Sequence, residues 1–173
     1  MKNFVRLNIS DKNILDEVSY FVKCHVDFIW LVIPEDYSRL SHLDDILAIC
    51  DGETDIWIDS PLKFKQEEIA GVIKYGIPEN KDQTWSGIAK NLADFKNMEL
   101  AGAKFILIEY FDVFGQQKDG ILGDEGLHTI FEDESYGWSI LTVNTPVYVY
   151  GKMNKSQTLK LHEATFVEGY EIN

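Results

Sequence analysis

The residues whose types and spacing suit chemistry begin with Glu125, His128 and Glu132. Positions i, i+3 and i+7 share one face of a helix, so an imidazole and two carboxylates there would converge on a divalent metal. Half of a carboxylate-bridged di-iron site has this form, but the complementary half is missing and Gly126 weakens the helix. An exposed polar turn is the competing reading. Asp51, Glu53 and Asp55 offer oxygen ligands to calcium, yet lack the loop spacing and closing bidentate Glu of a calcium hand, and read better as a helix stop before a strand.

Cys24 and His25 are sequence neighbours, and adjacent helical side chains diverge by about 100°, too far for a thiolate–imidazole pair. His42 and His162 each lie beside acids (Asp44 and Asp45; Glu163), so each suits a general base oriented by a carboxylate, although surface histidines near acids are common without function. No Gly-x-Ser-x-Gly elbow, Walker loop, dinucleotide fingerprint or His-Glu-x-x-His occurs. The glycine-rich stretch from Gly115 to Gly126 lacks Gly-Lys-Ser/Thr, and its acids would repel phosphate.

The elements that must position these residues come from a chain of 173 residues, 45% hydrophobic and 13% aromatic, enough apolar material for one well-packed domain. Val5, Leu7 and Ile9 alternate with Phe4, Arg6 and Asn8 as in a half-buried strand. Ile14, Leu15, Val18, Phe21 and Val22 mark one face of a helix, with Ser10 or Asp11 as its cap. Val26 to Ile33 suits a strand covered on both sides. Leu40, Leu43, Leu47 and Cys50 mark a second helix, opened by a Ser41/Asp44 capping pair and closed by Gly52. Thr54 to Asp59 alternates as a strand, and Gln66 to Tyr75 reads as a helix stopped by Gly76 and Pro78. Thr84 caps a predicted helix on Trp85, Ile88, Leu92 and Phe95, and Lys104 to Phe114 is the strongest strand.

From Trp138 onward, Trp138–Val143, Val147–Lys152, Thr158–Glu163 and Thr165–Tyr170 read as short β runs without a helix, with a hairpin turn at Met153–Ser156. The expected fold is therefore α+β: a single domain over residues 1–173 with a mixed sheet. Strands and helices alternate in the first two-thirds and an antiparallel β meander closes the chain. A subdivision near residue 115 is the alternative.

The net charge of −13 is confined. Between Glu35 and Asp59 stand eight acids and one base, Arg39; between Glu109 and Glu134 stand another eight and one base, Lys118. The remainder of the chain is nearly neutral. Such a balance, with a pI of 4.6, argues against nucleic acid, whose phosphates require a basic surface. No apolar run approaches the roughly 20 residues of a membrane span. Met1 to Asn8 has no signal-peptide pattern, and two cysteines do not make a disulfide scaffold, so a cytoplasmic setting is expected.

Carboxylates speed encounter with a basic partner, and aromatic anchors slow its departure. The sequence thus points to a non-enzymatic acidic protein that docks on and blocks a basic protein, in the manner of a toxin-neutralising immunity protein and without a cofactor. Its face would comprise Asp44, Asp45, Asp51, Glu53, Asp55, Trp57, Asp112, Phe114, Asp124, Glu125, Glu132 and Asp133. Solubility alone also accounts for many acidic surfaces. The alternative is a small enzyme or ligand-binding domain with a cleft of Glu125, His128 and Glu132, with or without a divalent metal.

Overall fold

The computed structural model describes residues 1–37, 41–64, 68–79, 82–90, 92–109, 143–162 and 167–173. Eight strands appear in chain order: β1 (Lys2–Asn8), β2 (Phe28–Val32), β3 (Asp55–Asp59), β4 (Gly71–Lys74), β5 (Trp85–Ala89), β6 (Ile106–Glu109), β7 (Val147–Tyr150) and β8 (Gly169–Glu171). Each pairs in parallel with the next, and β8 pairs in parallel with β1, so the sheet closes into a barrel. Closure leaves no free strand edge.

Four helices lie among the described residues: α1 (Ile14–Lys23), α2 (Ser41–Cys50), α3 (Leu92–Leu100) and α4 (Lys155–Leu161). They cover the outside of the ring. Val5, Leu7, Ile29, Leu31, Ile56 and Ile58 face outward and bury against Ile14 and Val18 of α1 and Leu43, Ile46 and Leu47 of α2. Across the barrel, Trp85, Ile106, Ile108, Val147 and Val149 form a second outer layer with Phe95 and Met98 of α3 and Leu161 of α4.

The alternate residues of the same strands fill the interior. Phe4, Phe28, Trp30, Trp57, Phe105, Tyr148 and Tyr150 pack there with Ile73, Ile88 and Leu107. Phe4 stacks on Phe28 at 4.6 Å, and Trp57 meets Phe105 edge-on at 4.6 Å, geometries that add to the gain from burial. Aromatic filling needs room, and Gly71 supplies it: a Cβ there would stand 2.5 Å from the Trp57 ring and from the Thr84 carbonyl oxygen.

The expected α+β fold with a mixed sheet is therefore corrected to an all-parallel closed barrel. Strand predictions for β1, β2, β3, β6, β7 and β8 overlap the observed elements, whereas others fail for physical reasons. Gly71–Lys74 is a strand although Ile69, Val72 and Ile73 carry helical spacing; a four-residue strand buried on both faces has no alternation to show. The helix expected from Trp85 splits, because Trp85–Ala89 is a fully buried strand and α3 begins only at Leu92.

The antiparallel meander is replaced by a β7–α4–β8 unit. The expected hairpin turn opens α4 instead. There Asn154 Oδ1 accepts from the Gln157 N–H at 2.9 Å, and Gln157 Oε1 accepts from the Asn154 N–H at 2.9 Å. That reciprocal capping pair starts a helix. Positions 138–142 of the β run expected from Trp138, and the residues near 115, lie outside the described residues.

Candidate functional site

Along β1 and β2 the inward positions are Phe4, Arg6, Phe28, Trp30 and Val32, and on β3 they are Trp57 and Asp59. Parity therefore sends inward residues near the strand ends toward the C-terminal end of the barrel, above the aromatic filling. Arg6, Asp59, Glu109, Tyr150 and Glu171 are polar side chains among them, joined by Tyr75 just past β4.

Their contacts are specific. The Arg6 guanidinium lies 5.0 Å from the Trp30 ring centre and 5.4 Å from that of Tyr150, so two rings flank the cation. Glu171, whose side chain is only 7% exposed, places Oε1 at 3.5 Å from Arg6 Nε, while its Oε2 accepts from the Gly151 N–H at 2.8 Å. Arg6 is thus held from the side and across its faces.

Asp59 Oδ2 accepts from the Trp30 indole N–H at 3.1 Å and from the Tyr75 hydroxyl at 3.4 Å. Burial pushes the Asp59 carboxyl above the ordinary carboxylate range, and the Trp30 and Tyr75 hydrogen bonds with the Lys74 and Arg6 charges only partly oppose it. Burial and the neighbouring Asp59 carboxylate together raise the Tyr75 phenol, keeping it a hydrogen-bond donor. A desolvated carboxylate beside a fixed cation is an arrangement suited to proton transfer on a bound molecule.

A concavity opens at the same end, beside the first two strands. It is a cleft of about 600 Å³ lined by Ile9, Ser10, Asp11 and Lys12 after β1, by Pro34, Asp36 and Tyr37 after β2, and by His42 on α2. Asn8 Oδ1 accepts from the Ser10 N–H at 3.0 Å and fixes the first of these loops. His42, read from sequence as a possible base, lies here with its ring centre 6.5 Å from that of Tyr37.

The residues proposed from sequence fall elsewhere. Asp44 and Asp45 are exposed on α2 at the outer wall. Asp51, Glu53 and Asp55 are exposed around the turn into β3, at the N-terminal end of the barrel and away from Asp59. Trp57 is 6% exposed inside the barrel, so it is a core residue and not a docking anchor. Asp112, Phe114, Asp124, Glu125, His128, Glu132 and Asp133 lie outside the described residues. Among the described residues no group of three metal-ligating side chains comes together.

Sequence reading missed Arg6, Trp30, Tyr75, Tyr150 and Glu171, and counted Asp59 only as one acid in a run. A signal was present: Asp59, Glu109 and Glu171 each end a short apolar strand, and Arg6 interrupts another.

Eight parallel strands closed into a ring, with helices outside and packed side chains within, define the TIM-type barrel class. No protein-family model matches the sequence, and no curated protein matches it. Solved structures do resemble the fold. Thiamine phosphate pyrophosphorylase from Pyrococcus furiosus aligns with a TM-score of 0.65 at 14% identity, covering 99% of this chain and 84% of that one. An HpcH/HpaI aldolase from Desulfitobacterium hafniense gives 0.61 at 8%, covering 98% and 84%. Dihydropteroate synthase from Thermus thermophilus gives 0.55 at 10%, covering 99% and 88%.

These similarities establish the barrel and overturn the inhibitor expectation. The chain has a fold found in enzymes, and Trp57, an aromatic anchor of the expected docking face, is buried inside it. Among the described residues no helix is long and apolar enough to cross a membrane.

Proposed function

We propose that this chain is an enzyme carrying out acid–base chemistry on a small substrate in the C-terminal mouth of the barrel. The observation that carries this reading is the convergence of a clamped Arg6 and a desolvated Asp59 on Trp30, the first over its ring and the second at its indole N–H. In barrel enzymes the reacting groups stand at this end, on the tips of different strands. That generalisation, together with the enzymes among the structural neighbours, supports the assignment.

In this mechanism Arg6 anchors an anionic oxygen of the substrate. Glu171 is the single carboxylate within ion-pair distance of it among the described residues, and sits on Nε, so the guanidinium tip keeps donors for a ligand. Asp59 exchanges a proton with the substrate, its raised pKa bringing it closer to neutrality than an exposed aspartate. Tyr75 donates to Asp59 and follows its change of charge. The unpaired thiols of Cys24 and Cys50 support a reducing, cytoplasmic setting.

The test is a titration of the purified chain with small carboxylates and phosphate esters, followed by NMR. Binding by one of these classes is expected, weakened about tenfold or more in Arg6→Met with the fold retained, as for a lost charge-assisted hydrogen bond. A ligand bound equally well by Arg6→Met would remove the anchor and the proposal with it.

A further inference from the structure

Both hydrogen bonds to Asp59 end on the same oxygen. Trp30 Nε1 stands 3.1 Å and the Tyr75 hydroxyl 3.4 Å from Oδ2, whereas no donor among the described residues reaches Oδ1. Shielded side-chain oxygens without a partner occur among the described residues at Asn3 and Tyr37 but not at Asp59, so Oδ1 meets solvent. The carboxylate is therefore divided: one oxygen is held by side chains and the other is open.

Trp30 is the rigid half of that hold. It is fully buried, its ring meets that of Tyr150 edge-on at 5.2 Å, and Arg6 lies over it. An indole N–H only donates, and this one cannot turn away without disturbing the packing around it. Tyr75 is exposed and makes the longer contact, so it adjusts more readily. A carboxylate oxygen has two lone pairs, and two donors use both of those on Oδ2. A proton added to the carboxyl therefore goes to Oδ1.

We propose that Asp59 exchanges its proton with the substrate at Oδ1, and that Trp30 is the positioning residue that keeps Oδ2 out of the exchange. This rests on the reading of Asp59 as the acid–base group of the mouth. As a substrate loses its proton, the new O–H bond forms at Oδ1, the electron pair stays on the substrate and the carboxyl becomes neutral. Trp30 donates to Oδ2 throughout, so the carboxyl keeps its orientation between steps. Arg6 from β1 and Lys74 at the end of β4 favour the ionised form of Asp59, as the two hydrogen bonds do, while burial opposes it and Glu109 from β6 acts on Tyr75.

Two measurements on the whole chain test this. Neutron diffraction from deuterated crystals held below the Asp59 titration should find a deuteron on Oδ1, with that of Trp30 Nε1 still directed at Oδ2. Carbon NMR of the Asp59 carboxyl should show its titration moved upward by about one pH unit in Trp30→Phe, the effect of losing one hydrogen bond to the charged form. Tyr75→Phe should move it upward by less. The pH inflection of kcat should follow the carboxyl in each variant. The Phe ring remains under Arg6, so Arg6-dependent binding of small anions should hold within about threefold in Trp30→Phe.

A deuteron on Oδ2, or an Asp59 titration unmoved in Trp30→Phe, overturns the proposal. If Trp30→Phe loses its fold, the deuteron position in the wild type and in Tyr75→Phe still decides, because both keep the Trp30 donor and both should carry the deuteron on Oδ1. The two readings fail separately. A deuteron on Oδ2 sinks the choice of atom alone, whereas turnover undiminished in Asp59→Asn sinks the acid–base role itself.

Discussion

At the N-terminal end of the barrel, charged groups tie neighbours together in pairs. Lys2 reaches Glu168 at 3.2 Å, and Asp27 accepts from the Asn3 N–H at 2.8 Å. Glu99, near the end of α3, accepts from the Thr145 N–H at 2.9 Å and from its hydroxyl at 3.1 Å, so that the helix holds the segment leading into β7. At the C-terminal end the charges point toward the axis, and one of them has a raised pKa because it is buried. The first arrangement joins elements at little cost in desolvation. The second keeps a carboxylate in an unfavourable environment, which is characteristic of groups retained for chemistry. On the proposed reading, one end fastens the ring and the other works on a ligand.

The largest effect that tests this contrast is at Asp59. Replacement by Asn keeps an acceptor for Trp30 and Tyr75 but removes the proton exchange. Turnover of the substrate identified by titration should fall about 10²- to 10⁴-fold, the usual share of a general base, with no loss of thermal stability. The wild-type rate should fall as pH drops through a pKa above the ordinary aspartate value, because protonation disables the base. That inflection should vanish in Asp59→Asn, measured as a kcat profile. A variant that unfolds with its activity would instead make Asp59 a fastener like those at the other end.

Much of this contrast was legible in the sequence one strand at a time and illegible as a whole. Val5, Leu7 and Ile9 against Phe4, Arg6 and Asn8 announce a strand with two distinct faces. They do not say that the face carrying Phe4 and Arg6 looks into a ring, since this depends on β8 returning to pair with β1. Two connections also hide the repeating strand–helix unit. The described residues of 60–70 and 75–84 form no helix, so β3, β4 and β5 follow one another without the alternation that marks a parallel barrel. At 173 residues the chain is also well below the roughly 250 typical of this class. Asp59 and Trp57 show the same limit at the site. They are two residues apart in one acidic stretch, yet one fills the core and the other reaches the mouth, a distinction set by barrel closure and not by charge count.

The opposite end gives a smaller, different effect. Hydrogen bonds from Lys96 and from the Thr145 and Asn144 backbone hold the Glu99 carboxyl down at about 2, against an ordinary 4.5. A lowered pKa means that stability from this group is present above the unfolded value and is lost as pH falls from about 4.5 toward 2. Glu99→Gln should cost about 2 kcal/mol at pH 7, after allowance for its partial exposure, and almost nothing near pH 2. Urea denaturation at the two pH values measures it, and turnover should be unchanged. A loss of activity at constant stability would show that the two ends are coupled rather than divided in their roles.

The smallest effect sharpens the contrast by showing how little an exposed tie contributes. Lys2 and Glu168 are 52% and 43% exposed, so water and salt screen their attraction. Glu168 nonetheless raises the Lys2 pKa, so its contribution is complete below the ordinary lysine value of 10.5 and fades as pH rises past it. Lys2→Met should therefore lower stability by less than about 1 kcal/mol at neutral pH, and the deficit should shrink in molar salt. Arg6, also paired with a glutamate but flanked by two rings and a buried carboxylate, should keep its pairing in the same salt. If Lys2→Met proved as costly as Glu99→Gln, the N-terminal end would depend on charge as closely as the mouth does, and burial would no longer separate them.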